Sequence, residues 1–93
     1  MNGCKIDIPR VSKLVSGCYN GFEDVWVGYN RNTDKIDVVC SISAPKITQD
    51  IYNSLKTKVA VNISRQYGTR FVEDHFDISI INFLYWFFLL FFY

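Results

Sequence analysis

The residues that could do chemistry fall into three groups. Asn30, Arg31, Asn32, Thr33, Asp34 and Lys35 place two cations and several hydrogen-bond donors in one short run between two apolar stretches. A guanidinium and an ammonium beside amide and hydroxyl donors suit a phosphate, which takes charge-assisted hydrogen bonds. Arg31 and Lys35 are therefore the candidate phosphate- or RNA-binding residues, and the competing reading of the same run is a solvated turn. Glu73, Asp74, His75 and Asp77 bring four titratable groups into five positions, superficially an acid–base or metal cluster. Neighbours in sequence point in different directions, and helical metal ligands want i, i+4 spacing, so residues 73–77 read as a polar linker. Cys4, Cys18 and Cys40 are odd in number, lack CxxC spacing and have no clustered histidine, which argues against a disulfide scaffold and a zinc site.

The serines, among them Ser12, Ser16, Ser41, Ser43 and Ser54, stand in no nucleophile-elbow or phosphate-loop context. Nothing in the chain pairs a nucleophile with a base, so the expectation is a protein that is not an enzyme and needs no cofactor or metal. Asn62-Ile63-Ser64 is a glycosylation sequon, but it falls in a segment that reads as a strand. Tyr19, Phe22, Trp26, Tyr29, Tyr52, Tyr67 and Phe71 could stack on bases, although such residues more often serve a core or a sheet surface.

The elements that must position these residues centre on a β-hairpin. Val25, Val27 and Tyr29 alternate on the first arm, and Ile36, Val38, Cys40 and Ile42 alternate on the second. Asn30 to Asp34 supply turn chemistry between the arms. Upstream, Ile6 and Ile8 suggest a short extended segment that Pro9 stops, and Val11, Leu14, Val15 and Cys18 form one helical stripe ended by Gly17. Downstream, Ala44-Pro45 breaks the strand, and Thr48 with Asp50 opens an amphipathic helix of about three turns carrying Ile47, Ile51 and Leu55. Val59, Val61 and Ile63 then alternate with Ala60, Asn62 and Ser64, the pattern of a third strand. The expected fold is α+β: an antiparallel sheet built on the central hairpin, helices on one face, and element order α-β-β-α-β over residues 1–72.

Bulk properties set the limits. Ninety-three residues make one small domain with a thin core, and the formal net charge of +1 spreads over the chain without a basic stripe. MNGCKIDIPR has no apolar run behind a basic start, so the default expectation is cytoplasmic. Residues 78–93 are uncharged and rich in aromatics. As a helix they would span about 24 Å at roughly 1.5 Å per residue, short of the ~30 Å hydrocarbon core. Three readings of this tail stay open: a C-terminal membrane anchor facing the cytosol, a non-native extension, and strands packed on the domain.

With this order of elements in hand, KLVSGCYNGFEDV, the hairpin ending in TDKIDVV, and ITQDIYNSL together resemble the second half of the cap-binding translation initiation factor 4E family. Leu14, Val15, Asp24, Val25, Asp34, Lys35, Ile36, Ile51 and Leu55 carry the likeness, which covers roughly Val11 to Ser64. The resemblance implies a truncated or divergent member that binds an mRNA cap or RNA in translation initiation. It places Lys35 on the family's phosphate-binding lysine, with Arg31 one residue from the expected arginine and Asn30 in the place itself. Val39 stands where the family has a tryptophan, and Trp26 and Trp86 match neither tryptophan that sandwiches the cap. A small C-terminally membrane-anchored protein is the alternative expectation.

Overall fold

The structure, a computed structural model, describes residues 6–44 and 47–83. The hairpin forms as the alternation requires. β1 (Asp24–Asn30) and β2 (Lys35–Ile42) pair antiparallel, with Val25 opposite Cys40, Val27 opposite Val38 and Asn30 opposite Lys35. The pleat sends Val25, Val27, Ile36, Val38, Cys40 and Ile42 to one face, and that face is the core: Val38 and Cys40 are fully buried.

Three helices cover it. In α1 (Ile8–Ser16), the Asp7 carboxylate caps the start by accepting from the Arg10 backbone N–H at 3.2 Å, Pro9 lies in the first turn, and Gly17 ends the helix. Its buried residues are Val11 and Val15, from the stripe seen in the sequence. Of the extended entry expected at Ile6 and Ile8, Ile6 and Asp7 lie outside the helix, Asp7 with extended backbone, and Ile8 is already helical. α2 (Gln49–Tyr67) opens at Thr48, whose hydroxyl accepts from the Ile51 backbone N–H at 3.3 Å. It then runs far beyond the expected three turns, and α3 (Thr69–His75) follows after Gly68.

The strand expected over Val59–Ser64 is therefore helical. Val59, Val61 and Ile63 satisfy a period of two, but Leu55, Val59 and Ile63 also lie four apart, and it is this stripe that is buried. Val61, which a strand would turn inward with its neighbours, is 44% exposed. Packing of one helical stripe overrides the β-propensity of three branched side chains.

The third strand, β3 (Phe76–Asn82), lies where the sequence reading placed the polar linker and the start of the tail. Phe76, Ile78 and Ile80 alternate with Asp77 and Ser79, so the period was present. The inward set joins the core, Phe76 buried and the two isoleucines packed against it. β3 pairs with β2 in parallel, Ile36 opposite Phe76 through Ile42 opposite Asn82, which makes the sheet order β1-β2-β3 mixed rather than antiparallel. A parallel partner follows from the connection, because a crossover of helices returns the chain to the end of β2 at which it began. The domain thus extends through Asn82, beyond the boundary expected at residue 72. The anchor and extension readings fall on residues 78–93, of which β3 takes 78–82 into the sheet and 84–93 lie outside the described residues. No helix among the described residues is long and apolar enough to cross a membrane.

The far end of the sheet is fastened by a reciprocal amide pair. The buried Asn82 side chain donates to the Ala44 carbonyl at 2.9 Å and accepts from the Ala44 N–H at 3.3 Å, joining the exit of β2 to the end of β3. No buried side-chain nitrogen or oxygen among the described residues is left without a partner.

Two stability measurements check this arrangement. Ile63→Ala should cost about 2–5 kcal/mol by urea unfolding, whereas Val61→Ala should stay within about 0.5 kcal/mol. Equal losses at the two positions would return the segment to a strand. Gly68 has φ 94° and ψ 147°, and a Cβ added there would meet nothing within 4 Å, so the penalty of Gly68→Ala is conformational alone. It should amount to about 1–3 kcal/mol, and a variant as stable as the parent would remove the strain assigned to that joint.

Candidate functional site

The face of the sheet away from the helices carries Asp24, Trp26, Gly28, Asn30, Lys35, Asp37, Val39, Asp77, Ser79 and Ile81 by the pairing register. Trp26 is 55% exposed on it. Gly28 sits two residues further along the same side of β1, and a Cβ there would lie 2.6 Å from Trp26 Cζ2. The absence of a side chain at Gly28 is what lets the indole close down against the strand, leaving the rest of the ring to solvent.

Asn30 organises the loop beyond. Its Oδ1 accepts from the Asn32 N–H at 2.9 Å and the Thr33 N–H at 3.4 Å, an Asx-type turn, while its Nδ2 donates to Asp37 Oδ2 at 3.0 Å. Asp34 closes the loop in the left-handed region at φ 56°, which a short polar side chain tolerates, and its N–H donates to the Asn30 carbonyl at 2.9 Å. The Tyr29 hydroxyl donates to the Asp34 carboxylate. That bond, with lesser contributions from burial and from the Asp34 charge, raises the Tyr29 pKa above the ordinary phenol.

These residues enclose an open recess of about 590 Å³ lined by Trp26, Tyr29, Asn30, Arg31, Asn32 and Asp37. Of the two cations picked out in the sequence, Arg31 lines the recess and Lys35 does not; Lys35 is half-buried, opposite Asn30 in the ladder. The recess therefore combines one guanidinium, one carboxylate and the exposed Trp26 ring, with Tyr29 lining it from a strand position of the opposite parity. An aromatic face suits a planar ring, the guanidinium suits an anion, and the Asp37 carboxylate suits N–H donors. Sequence reasoning named Trp26 only as one of seven aromatics that could stack on bases, without placing it beside the loop, and passed over Asp37. The signal was available, since both occupy the outward parity of arms whose inward parity is apolar.

The other candidates come apart. Glu73, Asp74 and His75 end α3 and Asp77 belongs to β3, so the segment is structured rather than a linker. Glu73, Asp74 and Asp77 are exposed, while the half-buried His75 ring lies 4.4 Å from that of Phe71. No group of three or more His, Cys, Asp or Glu among the described residues could hold a metal ion. Asn62 of the sequon is helical, and its Nδ2 donates to the Lys58 carbonyl at 2.9 Å. Cys18 donates its thiol to the Leu14 carbonyl at 3.2 Å, and burial raises its pKa against the opposing pull of Lys58 and Arg65. Burial pushes the Cys40 thiol up to about 12, with a smaller contribution from Cys18. Neither environment makes a thiolate nucleophile.

No family model, curated protein or solved structure matches the chain.

Asn30→Ala removes the loop's acceptor and Asp37's donor together and should destabilise the protein by about 1–2 kcal/mol in urea; an unchanged midpoint would contradict the anchoring role. Cys40 should escape iodoacetamide at pH 8 in the native protein and be labelled after unfolding, as read by peptide mass mapping. Its folded pKa of about 12 lies above the ordinary 9.0, so the unfolded chain gives up the proton first as pH rises. The Cys40 contribution to stability is complete below pH 9 and lost by about pH 12, and Cys40→Ala should flatten the decline across that window. Parallel declines in parent and variant would remove the contribution.

Proposed function

We propose that the protein is a non-enzymatic binding module whose hairpin recess takes a nucleotide of RNA or of an mRNA cap, in a role of the kind served in translation initiation. The observation that carries this reading is the convergence of the exposed Trp26 ring, Arg31 and the Asp37 carboxylate on one recess. A base would stack on the indole, which one side of β1 already supports through Gly28. Base–aromatic stacking contributes about 1–3 kcal/mol per base and tolerates any base. Arg31 would meet a phosphate oxygen through a charge-assisted bond. Lys35, outside the lining, would act on the same phosphate at longer range, where salt screens it.

The resemblance to factor 4E supports the ligand class and differs in its details. In place of two tryptophans around the base, this recess offers the single exposed ring of Trp26, and the arginine comes from position 31 with Asn30 holding the loop that presents it. A recess so open predicts weak binding, because little of the ligand leaves water.

The test is titration of the full-length protein with a cap analogue and with a nucleoside triphosphate at low salt, followed by isothermal calorimetry. Binding should appear, and Trp26→Ala and Arg31→Ala should each weaken it about tenfold, in line with 1–3 kcal/mol for a stacked base or a charged hydrogen bond. Lys35→Ala should weaken it less, and its effect should fade as salt is raised. Absence of binding to either ligand, or binding that Trp26→Ala and Arg31→Ala leave unchanged, would overturn the proposal.

A further inference from the structure

Folding gathers charge that is scattered along the chain. α1 contains no carboxylate and α2 contains none after Asp50, so the cations Arg10, Lys13, Lys56, Lys58 and Arg65 dominate the helix layer. Lys58 and Arg65 lie two turns of α2 apart, about 10 Å at 1.5 Å per residue. Both line an open groove of about 410 Å³ where the end of α1, at Gly17 and Cys18, meets the middle of α2. Both also pull on the half-buried Cys18 thiol in the groove wall, so the two charges act on one point. Among the described residues neither cation pairs with a carboxylate, and Lys58 instead lies 6.0 Å from the centre of the Tyr19 ring. Glu73 of α3 shares an adjoining recess with Arg65 but forms no ion pair with it.

We propose that this groove binds two linked phosphate groups, one held by Lys58 and the other by Arg65. The separation of the cations selects a ligand with two charged groups, since a single phosphate would reach both only if both side chains folded inward. A guanidinium takes a phosphate through paired hydrogen bonds and an ammonium takes one as a point charge. Ser54 and Asn62 line the groove with further donors; Asn62 Nδ2 carries two hydrogens, and its bond to the Lys58 carbonyl uses one. The C-terminal end of a helix ordinarily repels an anion. Here the last carbonyls of α1 are engaged: Lys13 accepts from the Gly17 N–H, Leu14 from the Cys18 thiol and Val15 from the Cys18 N–H. Linked phosphates occur in small diphosphates and in a polynucleotide backbone, and the groove's chemistry suits both. The groove lies in the helix layer, across the sheet from Trp26 and Asp37, so the proposal is independent of what the hairpin recess binds.

The test is titration of the full-length protein with inorganic pyrophosphate, and in parallel with a short polyuridine, at low salt, read from backbone and arginine side-chain NMR shifts. The shifts should saturate and centre on Gly17, Cys18, Lys58 and Arg65. Whichever probe has the lower Kd names the source, a small diphosphate or a polynucleotide. Lys58→Gln and Arg65→Gln change exposed positions, so each should keep the circular dichroism of the parent and weaken binding about tenfold. Lys56→Gln removes the same charge from an exposed position outside the groove lining and should leave pyrophosphate binding unchanged, as should Arg31→Ala at the hairpin. Iodoacetamide should label Cys18 more slowly in saturating pyrophosphate, because the bound anion covers the thiol and cancels the two charges that favour its thiolate. Shifts that fail to saturate, shifts confined to the hairpin loop, or binding that either Lys58→Gln or Arg65→Gln leaves unchanged would overturn the proposal.

Discussion

The whole structure depends on β2 being sandwiched in two directions at once. Within the sheet it is hydrogen-bonded to β1 on one side and β3 on the other, and on its inner face Ile36, Val38, Cys40 and Ile42 are all at most 4% exposed. Every helix reaches this row or its immediate neighbours: Val11 and Val15 from α1, Val59 and Ile63 from α2, Val72 from α3. The core is made mostly of small branched side chains, so its stability comes from many modest burials rather than from one large anchor. In a chain of this size that leaves a thin margin, and the loss of a single buried side chain is felt by the whole fold.

The parallel pairing is a matter of lengths. The eight residues of β2 extend about 26 Å at 3.3 Å each, and the nineteen residues of α2 rise about 28 Å at 1.5 Å each. One helix thus carries the chain back along the strand it has just left, and α3 with the left-handed joint at Gly68 completes the return to the level of Ile36. β3 must then run in the direction of β2. Had the chain turned into a strand at Val59, it would have lacked the length to make this return.

What could be read from the residues alone follows from how sharply each segment's period was defined. The hairpin was legible because alternation and turn chemistry agree there, and α1 because Pro9 and Gly17 mark both ends of a clean stripe, the Asp7 cap emerging only in the structure. The second half of α2 was not, since a run with apolar residues at 59, 61 and 63 fits both periods, and only the neighbouring Leu55 on the same helical face decides between them. β3 was hidden for a different reason: Phe76, Ile78 and Ile80 alternate properly, but the strand straddles the boundary between a charged stretch and an aromatic one, and composition obscured the period. At the candidate site, the loop and Arg31 were legible from residue type. The contributions of Trp26 and Asp37 depend on sheet parity and cross-strand register, and the hydrogen bond from Asn30 to Asp37 joins residues seven positions apart.

The recess inherits its shape from the same central strand. β2 supplies Asp37, the register with β1 sets Trp26 and Gly28 on the same side, and the loop joining the two presents Arg31. The most direct measurement of the account is the set of cross-strand proton contacts in an NMR spectrum of the protein. The structure requires Val39 to show contacts to Trp26 on one side and to Ser79 on the other, with Ile36 near Phe76 and Ile42 near Asn82. Contacts running the opposite way along β3, from Ile36 to Asn82, or a β2 with no partner on that side, would contradict it.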